Sequence, residues 1–219
     1  MDSKCLESFL IPEYEIATEG AGSTINGIAK RIFGMLTGFI NMIIRIFRKL
    51  INNLRGKKPQ ASNNTDNQNK DQQPNSNDNS KFFKRTKSTG HTIFAMLDYT
   101  IAALDYAIGI NTKQDDEKST GYINDSMSYY SEIEEYITDY KNAKCEISEK
   151  DVSGLLTGIE IKLRILEDYK EKLDKYTDSN NIKKFDQNAV NRITRYLPKA
   201  QNYAIQYTTI INNCIITEE

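Results

Sequence analysis

Between residues 25 and 55 the polar and apolar positions separate by helical period. Advancing 100° per residue from Lys30, the polar, glycine and charged positions from Asn26 to Arg55 fall between about 320° and 100°. The apolar positions fill the remaining arc, about 200° wide, and only Asn53 intrudes at its border. This pattern predicts one helix about 45 Å long at 1.5 Å per residue. Its apolar face carries Ile28, Ile32, Leu36, Phe39, Ile43, Phe47 and Leu50. Opposite them stand Lys30, Arg31, Arg45, Arg48, Lys49 and Arg55, with Lys57 and Lys58 just beyond.

Downstream, four further helical patterns follow one another with turn signals between them. The first spans about 91–110, with Ile93, Phe94, Leu97, Ile101, Leu104 and Ile108 at steps of three or four, and stops near Gly109. The second spans about 121–144 and turns Tyr122, Met127, Tyr130, Ile133, Tyr136, Ile137 and Tyr140 inward. The third, 149–177, opens on Ser148 and Asp151 in a spacing close to a capping box, and carries Val152, Leu155, Leu156, Ile159, Leu163, Leu166 and Leu173. The fourth runs from about Asp186 to Ile216, with a kink or break expected around Tyr196–Pro198, because proline removes a backbone donor. The expected fold is therefore all-α: a long N-terminal cationic amphipathic helix, a disordered linker and a C-terminal up-down bundle of about four helices.

The linker reading rests on residues 59–80, PQASNNTDNQNKDQQPNSNDNS, which hold one Ala and no other hydrophobic side chain. The chain divides into residues 1–19, 20–58, 59–80 and 81–219. Charge sharpens that division. The whole chain of 219 residues is near neutral at −1, but residues 1–19 carry −4 and residues 20–58 carry +8 with no acid at all.

Three fates suit the cationic helix. It can lie in a membrane interface with its apolar face among acyl chains. It can bury that face against another protein or its own copies and turn the cations to DNA phosphates. It can dock on its own bundle. A transmembrane span is disfavoured, since the longest uncharged run, Ile32 to Ile44, is 13 residues against the roughly 20 that a bilayer requires. Gly34 and Gly38 form a GxxxG, but on the polar face.

The chemistry of enzymes is sparse. His91 stands alone, so no His-based triad, dyad or zinc site assembles from local spacing. Cys5, Cys145 and Cys214 are odd in number and far apart, which indicates neither a disulfide framework nor a metal site and reads as free thiols in a reducing compartment. EGAGSTING lacks the lysine and preceding strand of a phosphate loop. Glu132, Glu134, Glu135 and Asp139 form a solvated helix face, and the tyrosines at helical spacing read as core edges. No catalytic residue, metal or cofactor is expected. The acidic N-terminus also lacks the features of a secretory signal.

At the charge reversal stand Ala17, Thr18, Glu19 and Gly20. This stretch resembles the sites at which tailed bacteriophages mature virion proteins, where a prohead protease cuts after a Glu that follows a small residue and any residue, and precedes Gly, Ala or Ser. The opening CLESFLIPEYEIATEG, followed by a cationic helix, is similar to the N-termini of such precursors. The resemblance covers residues 1–58 at most. It implies a non-enzymatic virion protein, packaged in or on the head and matured after Glu19, with head proteins, the maturation protease and possible packaged DNA or anionic membrane as partners. The alternative is a membrane-surface or membrane-active accessory protein acting through residues 25–55.

Overall fold

The computed structural model describes residues 21–59, 76–109, 113–177 and 187–218. The acidic leader, the Ala17–Gly20 junction and residues 60–75 of the expected linker lie outside the described residues. Six helices are described: α1 (Ala21–Gly56), α2 (Ser76–Ile108), α3 (Asp116–Ser128), α4 (Tyr130–Tyr140), α5 (Glu149–Thr177) and α6 (Gln187–Asn212). Two three-residue strands, β1 (Glu146–Ser148) and β2 (Ile215–Thr217), pair in parallel. The fold is all-α apart from that small bridge.

Side-chain pairs set the directions. Phe47 meets Tyr207 and Asn53 meets Asn212, so α1 and α6 run parallel. Arg48 pairs with Glu167 and Arg55 with Glu160, in reverse order, so α5 runs antiparallel to α1. Ser126 and Ser119 of α3 bond to Met96 and Ala103 of α2, again in reverse order. The result is an up-down-up-down-up bundle of five rods, in which α3 and α4 follow one another through Tyr129.

Local chemistry explains most boundaries. Gly109, at φ 67°, takes the left-handed conformation that ends α2, and its N–H donates to the Asp105 carbonyl at 2.7 Å. The Asp115 carboxylate accepts from Lys118 N and caps α3. Ser148 Oγ accepts from Asp151 N at 3.2 Å at the start of α5.

Four expectations need correcting. First, α2 begins at Ser76, inside the segment read as linker. It is anchored by the buried Phe82 six residues further on, from which helical hydrogen bonding can extend backward over polar residues. Second, the predicted second helix starts earlier and is two helices, broken at Tyr129 and finished at Tyr140. Third, α6 continues through Pro198, because buried Val190, Ile193 and Leu197 before it and Ala200, Tyr203 and Ala204 after it hold both turns against the core. Its predicted last turn is instead the strand β2.

The fourth correction concerns α1. Its apolar arc is no separate surface: Ile32, Leu36, Phe39, Ile43, Phe47 and Leu50 are buried in the same hydrophobic cluster as α2, α5 and α6. The arc is wide because α1 lies against both α5 and α6, with Phe47 tilted against Phe94 of α2 at a centroid distance of 4.8 Å. Of the three fates open to it, the helix docks on its own bundle. Phe47 and Leu50 are completely buried, so in this fold the apolar arc is turned to the core. The Ile28 side chain lies outside the described ones.

Candidate functional site

With its apolar arc in the core, α1 turns its other face outward, and the eight cations divide by what they touch. Arg48 reaches Glu167 at 2.5 Å, and Arg55 pairs with Glu160, two turns away on each helix. These two bridges tie α1 to α5 along their shared edge. Lys57 donates to the carbonyls of Asn212 at 2.5 Å and Cys214 at 2.7 Å. A cation there satisfies carbonyls left unpaired at the C-terminal end of α6, where the helix dipole favours positive charge.

Lys30, Arg31, Arg45, Lys49 and Lys58 remain exposed, with no ion-pair partner among the described residues. Asn41, Asn52, Gly27 and Gly34 are exposed between them. A Cβ added at Gly27 or Gly34 would meet nothing within 4 Å among the described residues, so the face is open at those two positions. Solvated Lys and Arg on one side of a rigid helix form a strip that attracts polyanions.

Other groups of charged residues are internally satisfied. Glu135 and Asp139 hold Arg85. Glu134 accepts from Tyr203 Oη at 2.5 Å and from Lys199 Nζ at 2.9 Å. The Tyr203 bond and then the lysine keep its carboxyl below the usual range. Lys199 also sits over the Tyr130 ring at 4.5 Å, and burial pushes the Tyr130 hydroxyl up to about 12. Glu132 accepts from Thr92 Oγ1, so all four carboxylates of this face have solvent or structural roles.

A cleft of about 300 Å³ opens where α1 ends against the start of α5, lined by Arg55, Lys57, Glu149, Ser153, Thr157 and Glu160 among others. Its two cations are already engaged by Glu160 and the α6 carbonyls, so it offers no free anion site. His91 is exposed on α2. Among the described residues no group of His, Cys, Asp and Glu could hold a metal ion, and no helix is long and apolar enough to cross a membrane.

Sequence reasoning identified the cations but not their division, because the pairing depends on where α5 and α6 lie. It also missed the meeting of Cys145 and Cys214, which immediately precede the two paired strands. The only local trace was the alternation Cys-x-Ile in both CEIS and CIIT. The chain matches no protein-family model, no curated protein and no solved structure.

Proposed function

We propose that this chain is a non-enzymatic virion protein of a tailed bacteriophage, packaged in the head as a precursor cut between Glu19 and Gly20, with the outer face of α1 against DNA. The observation that carries the DNA side of the reading is the strip of Lys30, Arg31, Arg45, Lys49 and Lys58, solvated opposite an apolar arc that the core consumes. A membrane reading would require α1 to leave that core. DNA binding requires no rearrangement. The processing side is supported by the Ala17–Gly20 pattern at the charge reversal. Removing a leader of net −4 from a chain of net −1 leaves +3, which strengthens attraction to phosphate.

N-terminal and intact-mass analysis of the protein from particles tests the processing: a chain starting at Gly20 is expected, and one starting at Met1 overturns it. For the interaction, duplex DNA binding by the chain starting at Gly20 should weaken steeply with salt. If all five cations meet phosphates, the slope of log K against log salt approaches about −4.5, at about −0.9 per phosphate. Replacing all five with Gln should abolish the slope while the helical circular dichroism persists. Equal binding by that variant would remove α1 as the DNA-facing element, and binding to anionic vesicles without DNA affinity would favour the membrane alternative.

A further inference from the structure

Cys145 and Cys214 are 69 positions apart in the chain, yet the bridge brings them opposite one another. Glu146 pairs with Ile215 and Ile147 with Ile216, so the residue before each strand, Cys145 on one side and Cys214 on the other, continues the same register. The Ile215 N–H donates to the Cys145 carbonyl at 2.9 Å, which fixes that alignment at the cysteines themselves. Neighbouring strands run about 4.8 Å apart. That spacing lies inside the roughly 4.4–6.8 Å range of Cα separations that a disulfide accepts.

The side chains also point the same way. Along β1 the burial alternates with Cys145 and Ile147 inside, and along β2 with Cys214 and Ile216 inside, so both thiols occupy the core face of the bridge. Both are free. Cys214 Sγ also lies 3.3 Å from the Ile210 carbonyl.

We propose that Cys145 and Cys214 form a reversible disulfide that staples the segment leading into α5 to the C-terminal end of α6. The oxidant is a small-molecule disulfide. The Cys145 thiolate attacks one of its sulfurs, forming a mixed disulfide and expelling one small thiolate. Cys214, as thiolate, then attacks the Cys145 sulfur, forming the intramolecular bond and expelling the second small thiolate. Two protein thiols are oxidised, the oxidant is reduced to two thiols, and the two protons pass to the leaving groups.

The two thiols differ in acidity. The neighbouring Cys214 thiol holds the Cys145 thiol below its ordinary range, favouring thiolate there, while the same pairing and burial raise Cys214. Both sulfurs are buried, at 6% and 3% exposure, so the oxidant enters when β2 lifts from β1. That opening involves only three paired residues. Because Lys57 holds the Cys214 carbonyl, the staple also fastens the end of α1 to this junction.

The test uses the full-length protein, with Cys5→Ser as a control for the third thiol. After incubation with oxidised glutathione, intact mass should fall by two hydrogens. Trypsin should then release one linked species joining residues 145–150 to 200–219, which separates on reduction. Closing a loop of about 70 residues should raise Tm by roughly 5–10 °C in the oxidised form. Cys145→Ser should leave Cys214 unable to form the linked species. The wild-type outcome decides independently of how that variant folds. Glutathione adducts persisting on both cysteines, or both thiols staying free in mild denaturant that opens the bridge, would overturn the proposal.

Discussion

The seam that α1 forms with α5 and α6 and the seam that α2 forms with α3 are built from opposite materials. Among the described side chains of α1, every buried one is Ile, Leu or Phe, from Ile32 to Leu54. Between α2 and α3 the buried side chains include Thr100, Ser119 and Ser126, and each hydroxyl is engaged. Thr100 Oγ1 and Ser126 Oγ lie 2.9 Å apart, Ser126 donates to Met96 O at 3.0 Å, and Ser119 donates to Ala103 O at 2.8 Å. A short serine can touch the main chain of the next helix only where the two backbones approach closely. The contrast separates two tasks. Apolar bulk supplies most of the association energy but tolerates sliding, whereas hydroxyl-to-carbonyl bonds fix one register.

The strongest way to break that comparison is Phe47→Ala. This ring is fully buried and touches Phe94 and Tyr207, so its loss should cost about 3–5 kcal/mol in denaturant unfolding. Gly90→Ala comes next. A Cβ there would lie 2.5 Å from Tyr207 Oη, and that phenol is fixed by its 3.1 Å bond to the Thr86 carbonyl. Relieving the overlap should cost about 1–3 kcal/mol, visible as a lowered denaturant midpoint.

Ser126→Ala should be milder, about 1 kcal/mol, because Thr100 retains its 2.8 Å bond to Met96 O. A Ser126→Ala loss equal to that of Phe47→Ala would reverse the ranking of the two seams. Smallest of all, Arg48→Ala should change stability by less than about 1 kcal/mol, since the arginine side chain is 62% exposed. Thermal melts should show even that difference shrinking with added salt.

How much of this was legible depended on how local each cause is. The period of α1 and the cap at Ser148 announced two helices from residues close in sequence. Gly109 marked a stop for the same reason. Pro198 misled because its effect on α6 is decided by the packing of Leu197 and Ala200 against other helices. Nothing local distinguishes Tyr129, where α3 gives way to α4. The cationic face was legible as a set of residues, yet Arg48, Arg55 and Lys57 are taken from it by partners more than a hundred positions away. The cysteine pairing required the register of two three-residue strands, too short for a period to declare itself.

That α1 is walled in by α5 and α6 also sets a timetable. The ribosome completes α1 at residue 56, but the last residue of α6 is 212. At about 5–20 residues per second, the two are separated by about 8–30 s of synthesis. Through that interval the nascent chain carries a cationic segment whose apolar face lacks at least one of the two helices that wall it in, since α5 is complete only at residue 177 and α6 only at 212. What is an interior wall in the finished molecule is, during birth, its most adhesive surface.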